Sequence, residues 1–165
     1  MFKYQEEILA GEVTAVVNKY ERKRENLLRI LQDLNDKTHY LTENILQEVA
    51  KNLSISPSEV YGVATFYSFI NTTPKGKYVI RICRTIVCDL KGKDKIVNTI
   101  ENELGIKVGE TTKDGKFTLE YTNCMGMCNQ GPAMLVDNDI YFNLDPEKVV
   151  EIIEQYARGD KDNVE

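Results

Sequence analysis

The spacing of apolar residues along the chain changes near residue 74. Before that point apolar residues recur at the three- and four-residue intervals of amphipathic helices. After it they follow the alternation of short strands, with two further helical stripes between and after them. We therefore expect an α/β protein with a helical N-terminal domain over residues 1–73, an α/β domain over residues 74–157 and a polar tail over residues 158–165.

The first domain is predicted to be a helical bundle. Its apolar stripes comprise Ile8, Leu9, Val13, Val16, Val17 and Tyr20, then Leu27, Leu28, Leu31 and Leu34, then Ile45, Leu46, Val49, Ala50 and Leu53. A last helix over 57–69 is predicted from Ser56 as its N-cap and Glu59 as the partner in a capping box. This helix is apolar and aromatic on most sides, so we expect it to be buried, with Tyr61 and Phe66 in the core.

The second domain is predicted to have the element order β-α-β-β-β-α. Its elements are a strand over 78–83, a helix over 94–104 ended by Gly105, a strand over 117–123, a hairpin of 133–137 and 140–144 joined through Asn138–Asp139, and a final helix capped by Asp145. This is the order of a thioredoxin-like sheet. If the first two strands are parallel, their carboxyl ends lie at the same edge of that sheet.

The four cysteines of the chain lie in two close pairs that follow these two strands. Cys83 and Cys88 belong to CRTIVC, and Cys124 and Cys128 belong to CMGMC, with thirty-five residues between Cys88 and Cys124. Thiolates are soft ligands that select iron–sulfur clusters or zinc, so the two pairs predict one metal centre. Their spacings are wider than those of most zinc knuckles and favour a [2Fe–2S] core with one cysteine pair on each iron.

Three other uses of the cysteines remain open on the sequence alone: a zinc site, disulfides and four unrelated buried thiols. Disulfides are disfavoured because the first residues, MFKYQEEILAGEV, lack the basic and apolar regions of an export signal. Rieske and Cys2His2 sites each require two histidines, whereas His39 is the single histidine of the chain. The Cys-x-x-Cys motif of thioredoxin chemistry is also absent from the sequence.

Composition and charge narrow the classes of partner. With 165 residues, of which 42% are hydrophobic, the chain can bury a core without help from a metal. The net charge of −5 and the lack of a basic, aromatic-rich stretch argue against nucleic acid and anionic membranes as partners. No apolar run approaches the length of about eighteen residues that a membrane span needs, so direct membrane insertion is not expected. We expect a cytoplasmic protein, because thiols stay reduced there.

The chain resembles a known family: the thioredoxin-like [2Fe–2S] subunit of respiratory NADH:quinone oxidoreductase and of NAD(P)-linked, often electron-bifurcating, [FeFe] hydrogenases and formate dehydrogenases. Besides the cysteine pairs, the resemblance rests on HYLTENILQEVAKNLSISPSEVYGVATFYSF, GKYVIRIC, ELGIKVGETTKDGKFTLEYTNCMGMCNQGPAML and LDPEKVVEII. It covers most of the chain. It implies a [2Fe–2S] cluster as the cofactor, with Cys83, Cys88, Cys124 and Cys128 as its ligands.

The first cysteine loop departs from the family pattern. The family usually reads C-x-G-T-x-C there, whereas Thr85 and Ile86 occupy the Gly and Thr positions, and Asp89 follows where His is common. Hydrogen bonds around the sulfurs are therefore expected to differ, and with them the reduction potential. The second loop, CMGMCNQGPAML, resembles the hydrogenase and formate dehydrogenase branch more than the respiratory one.

The resemblance implies a one-electron carrier without catalytic residues of its own. No G-x-G-x-x-G or P-loop motif occurs, so NAD(P)H and flavin are expected on an iron–sulfur partner subunit, beside a hydrogenase or formate dehydrogenase catalytic subunit. The segments 5–20 and 57–69 are candidates for docking that partner. Arg84, Lys91 and Lys93 are candidates for offsetting the negative charge of a cluster. The alternative is a zinc-stapled interaction module.

Overall fold

The structure is a computed structural model that describes the backbone of residues 2–159 and the side chains of residues 11–159. The chain divides into two compact units, which we call the helical unit, residues 1–74, and the sheet unit, residues 75–165. A membrane-crossing helix, which needs about eighteen or more predominantly apolar residues, does not occur among the helices that residues 2–159 form.

The described residues of the helical unit form four α-helices around one apolar core. They are α1 (Phe2–Lys19), α2 (Leu27–Thr38), α3 (Glu43–Leu53) and α4 (Pro57–Phe66), with a short 3₁₀ helix (Arg24–Asn26) before α2. The predicted stripes from Val13 onward face this core, while the side chains of Ile8 and Leu9 lie outside the described residues. Ser56 caps α4 as predicted, accepting a hydrogen bond from the amide of Glu59 at 3.3 Å.

The predicted burial of the last helix of this unit is wrong. Helix α4 ends at Phe66, not at residue 69, and buries only Val60 and Ala64 among its residues. Tyr61 and Phe66 are exposed, at 56% and 79% of their surface. The helix is short and its small residues pack inward, so its aromatic side chains remain on the outside.

The sheet unit contains a four-stranded mixed sheet in the order β2-β1-β3-β4. Its strands are β1 (Tyr78–Cys83), β2 (Phe117–Thr122), β3 (Met134–Val136) and β4 (Asp139–Tyr141), and its helices are α5 (Ile86–Leu90), α6 (Lys93–Leu104) and α7 (Pro146–Arg158). The core joins one face of the sheet to the apolar stripes of α6 and α7. A mixed α/β chain with a thioredoxin-like domain is thus the architecture that the apolar spacing predicted.

The strand arrangement confirms the predicted parallel pair. Strand β1 runs parallel to β2 and antiparallel to β3, and its last residue, Cys83, lies opposite Thr122 of β2. The hairpin strands are shorter than predicted and turn at Asp137 and Asn138, with Val136 opposite Asp139. Asp137 supplies the positive φ of 53° that a two-residue hairpin turn requires. The consequence for the site is that β1 and β2 end at the same edge of the sheet.

Candidate metal centre

The first cysteine pair is held by regular structure. Cys83 ends β1, the strand that hydrogen-bonds to β2 on one side and β3 on the other. Its amide donates to the carbonyl of Ala133 at 3.2 Å. Cys88 lies on α5, a helix of a little over one turn that the sequence pattern does not predict. Both side chains are buried, each with 1% of its surface exposed.

The second cysteine pair lies on an irregular segment after β2. Cys124 is exposed, and Cys128 is half-buried at the start of a 3₁₀ helix, Cys128–Gln130. Gly126, between them, has a φ of 89°, a left-handed conformation that favours glycine. The turn brings the two sulfurs to 3.2 Å from each other and the Gly126 amide to 3.4 Å from Cys124 Sγ. This amide can therefore donate to a thiolate at position 124.

Backbone and side-chain contacts tie the two loops together. The amide of Arg84 donates to the carbonyl of Thr122 at 3.0 Å. Lys91 Nζ, just after α5, donates to the carbonyl of Asn129 at 2.8 Å. At Gly131 the second loop passes so close to the first that an added Cβ would lie 3.1 Å from Cys88 Sγ. The absence of a side chain at Gly131 thus allows the two cysteine loops to approach.

The thiols influence each other's ionisation. Burial opposes ionisation of Cys83, but hydrogen bonds from the Thr85 hydroxyl, from backbone amides and from Cys88 outweigh it, so that its pKa is lowered. Burial and the neighbouring Cys83 raise the pKa of Cys88. The Cys124 thiol raises the pKa of Cys128, and a smaller contribution comes from Cys83. Of Cys83, Cys88 and Cys128, Cys83 is therefore favoured as the first to become a thiolate.

The donors suit a soft, two-metal cofactor. All four are sulfurs, and they are arranged as two pairs. Cys83 and Cys88 influence each other's ionisation, and the sulfurs of Cys124 and Cys128 lie 3.2 Å apart. A [2Fe–2S] core takes two thiolates on each of its irons, so the paired arrangement matches its needs. In the part of the chain whose side chains are described, no three His, Cys, Asp or Glu residues are gathered as a single-ion site.

The three candidate cations differ in their surroundings. Lys91 is bonded to the second loop, and its charge acts to lower the pKa of Cys128. Arg84 lies 3.5 Å from the Asn123 side-chain oxygen. Lys93 instead forms an ion pair with Asp89 at 2.8 Å. The positive charge of Lys93 is therefore offset by the carboxylate of Asp89. Of the two lysines, Lys91 is the one whose charge acts on a cysteine of the centre.

The structure adds a contact at two residues of the site. The departure from the family pattern at Thr85 predicts altered hydrogen bonds around the sulfurs, and the Thr85 hydroxyl lies 3.1 Å from Cys83 Sγ. Gly131 had no distinguishing signal beyond its place after the second pair. Its role depends on how closely another loop approaches it, and sequence spacing carries no information on that distance.

Comparison with known proteins gives consistent findings. Residues 13–157 match the family model described as thioredoxin-like [2Fe-2S] ferredoxin. The chain is 39% identical over 148 residues to a subunit of the NADH-quinone oxidoreductase of Buchnera aphidicola, in a match that covers 88% of this chain and 91% of that protein. It is 38% identical over 153 residues to the corresponding Escherichia coli K12 protein, covering 91% of this chain and 92% of that protein.

A hydrogenase subunit and a hydrogenase structure are also similar. The NADP-reducing hydrogenase subunit HndA of Solidesulfovibrio fructosivorans is 33% identical over 148 residues, covering 90% of this chain and 86% of that subunit. A crystal structure of an air-oxidized NAD+-reducing [NiFe]-hydrogenase superposes with a TM-score of 0.74 at 26% identity. The match covers 84% of this chain, which spans about a quarter (24%) of the matched hydrogenase chain.

Proposed function

Because the chain belongs to the thioredoxin-like [2Fe–2S] ferredoxin family, we propose that it is a one-electron carrier whose cluster is held by Cys83, Cys88, Cys124 and Cys128. The family's cofactor is the [2Fe–2S] cluster, which takes up and releases one electron at a time when bound. The observation that most supports this ligand set is the register of β1 with β2, which brings both cysteine loops to one edge of the sheet. We further propose that the helical domain ends near residue 73 and that the cluster-binding domain ends near residue 157.

The roles of the chain's residues follow from their positions. The buried pair, Cys83 and Cys88, keeps water from one side of the centre, whereas the exposed Cys124 leaves the other side open to a partner. Lys91 brings a positive charge near the second cysteine pair. The Gly126 amide offers a hydrogen-bond donor to Cys124 Sγ of that pair. Both features stabilise the negative charge of ligated thiolates. The chain performs no bond chemistry of its own in this proposal.

The proposed partner is a flavin- and NAD(P)H-binding iron–sulfur subunit in a multisubunit, electron-bifurcating hydrogenase. Support comes from the NADP-reducing hydrogenase relative and from the hydrogenase-like second cysteine loop. The alternative parent complexes are NADH:quinone oxidoreductase and formate dehydrogenase. Of these two, NADH:quinone oxidoreductase is favoured, because the relatives from Buchnera aphidicola and Escherichia coli are subunits of that enzyme. A cytoplasmic location, in which thiols stay reduced, belongs to the proposal.

Metal and sulfide analysis tests the cofactor. Protein purified without oxygen from its native host should be reddish-brown and contain about two irons and two acid-labile sulfides per chain. One-electron reduction should produce a paramagnetic centre visible by electron paramagnetic resonance. Colourless protein with one zinc and no sulfide would instead identify the zinc-stapled interaction module.

Point variants test the partner. We expect the exposed aromatic end of α4 and the apolar face of α5 to contact the flavoprotein, since Phe66 and Leu90 expose 79% and 82% of their surface. Phe66→Ser and Leu90→Ser should each weaken co-purification of the flavoprotein. Ile140→Ser, at a residue on β4 with 45% of its surface exposed, is the matched control and should not. Unchanged affinity in both test variants would reject both contact sites, and sequencing the co-purified proteins identifies the parent complex.

A further inference from the structure

Thr85 occupies a helix N-cap without making the usual capping bond. It directly precedes α5, with an extended backbone at φ −79° and ψ 157°, but its side chain accepts no hydrogen bond from the helix amides. A threonine in this position ordinarily satisfies one of those amides with its hydroxyl oxygen. Here the hydroxyl instead lies 3.1 Å from Cys83 Sγ. The side chain is therefore directed at the sulfur rather than at the helix.

The chemistry of a ligated cysteine decides the direction of this bond. A thiolate bound to a metal has no proton and can only accept, so the Thr85 hydroxyl must be the donor. Donation to a ligand sulfur withdraws electron density and favours the reduced, more negative state of the bound centre. The bond is formed between residues two positions apart, at the end of a buried strand, which keeps its geometry well defined.

We propose that Thr85 is a positioning residue that raises the reduction potential of the centre through its hydrogen bond to Cys83 Sγ. The inference rests on the proposed role of Cys83 as a ligand. Glycine, which usually occupies this position in the family pattern that the chain resembles, has no hydroxyl to donate. The neighbouring Ile86 is apolar and exposed, so it does not provide a replacement donor.

The test compares Thr85→Val with Thr85→Ser in the full chain carrying its cluster. Valine keeps the shape of threonine and removes the hydroxyl, whereas serine keeps the hydroxyl and removes the methyl group. In a redox titration followed by paramagnetic resonance, we expect Thr85→Val to shift the one-electron equilibrium toward the oxidised state by about three- to tenfold. A tenfold shift of this equilibrium corresponds to a reduction potential lower by about 59 mV. Thr85→Ser should stay close to wild type.

A structural readout accompanies the potential. In deuterated water, pulsed electron paramagnetic resonance of the reduced protein should detect the deuteron of the hydroxyl near the Cys83 sulfur in wild type and in Thr85→Ser. In Thr85→Val this one coupling should be lost, while the couplings of the backbone amide deuterons near Cys83 remain. Thr99→Val is the matched control, because the Thr99 hydroxyl bonds to the Lys95 carbonyl within α6. That variant should leave both the potential and the deuteron signal unchanged.

The outcomes separate this inference from the proposed function. If wild type holds its cluster and Thr85→Val has the same potential, the inference is overturned while the electron-carrier proposal stands. If Thr85→Val loses its cluster and Thr85→Ser keeps it, the hydroxyl–sulfur bond is supported, since valine preserves the packing. Cluster loss in both variants would assign Thr85 a packing role and overturn the inference. Wild type without iron would overturn both proposals.

Discussion

The two cysteine loops differ in how much regular structure holds them. Cys83 and Cys88 are buried on β1 and α5, and the backbone of β1 is hydrogen-bonded to a strand on each side. Cys124 and Cys128 lie on an irregular segment, one exposed and the other half-buried. The first pair is thus positioned by the fold before any metal arrives, whereas the second pair relies on one glycine turn and a few contacts.

This contrast suggests a division of roles within the site. Buried ligands on rigid elements define the position of a centre and exclude water from it. Ligands on an exposed loop adjust more easily and bring the centre close to a partner. Variants on each side of the site should therefore have unequal consequences.

Substitution of the cysteines themselves should have the largest effect. Serine supplies a harder oxygen ligand with a shorter reach, so each cysteine-to-serine variant should weaken the cluster. Cys83→Ser and Cys88→Ser should lose nearly all of it, because the buried elements cannot move toward the shorter side chain. Cys124→Ser and Cys128→Ser should retain part of their cluster, because the exposed loop can adjust to the shorter side chain. Iron and sulfide content per chain provides the measurement, and circular dichroism should detect little loss of helix.

The division of roles would be contradicted by equal cluster loss in all four variants. Should any one of them keep a fully loaded cluster with an unchanged spectrum, that cysteine is not a ligand.

Closing the gap at Gly131 should have an intermediate effect. In Gly131→Ala the new Cβ would lie 3.1 Å from Cys88 Sγ and 3.4 Å from Lys91 Cδ, so the two loops must separate slightly. We expect a loss of about 1–3 kcal/mol in the free energy of unfolding and an altered visible spectrum of the cluster. Denaturant titration and absorbance are the measurements.

Gly109→Ala is the control for this variant. Gly109 has a φ of 97° and open space around it, so alanine there strains the backbone by about 1–2 kcal/mol without approaching a cysteine. Its cluster spectrum should be unchanged. A normal spectrum in Gly131→Ala as well would show that the loops tolerate separation.

Removing the lysine that links the loops should have the smallest effect. Lys91→Met deletes the hydrogen bond to the Asn129 carbonyl and the positive charge near Cys128, so the second loop should open more often. We expect release of iron to a chelator to accelerate about two- to fivefold, the effect of losing about one hydrogen bond. Stopped-flow or spectrophotometric chelation gives the rate.

Lys93→Met provides the matched comparison. It removes the same side chain two residues away, but the charge of Lys93 is paired with Asp89. Its release rate should stay within about twofold of wild type. Similar acceleration in both variants would indicate a general effect of net charge rather than a link through Lys91.

Much of the fold followed from apolar spacing. The stripes of α2, α3, α6 and α7 face the cores as predicted, and Asp145 caps α7 by accepting from the Lys148 amide at 2.8 Å. The error at α4 came from treating aromatic content as evidence of burial. An apolar side chain on a short helix is buried only if another element covers it, and periodicity does not report what covers a face.

In the site, as in the fold, local features were predicted from the sequence and long-range contacts were not. The cysteine pairs and the strands before them were visible in the sequence, because ligand chemistry and strand alternation are both local properties. Helix α5 was missed, since five residues are too few to show a period. Glu59 was predicted to complete a capping box, yet its carboxylate forms an ion pair with Arg24 at 2.6 Å, a partner thirty-five positions away.

The order of residues along the chain was therefore sufficient to indicate the mixed α/β class, the parallel strand pair and the two cysteine pairs that follow it. Only the tertiary structure decided that Cys83 and Cys88 are buried while Cys124 is exposed, that the Thr85 hydroxyl points to a sulfur, and that Gly131 leaves room for Cys88. The physical reason is that residue type and spacing determine which elements form and which chemistry they carry. Burial and contact distances depend on how elements far apart in the chain pack together.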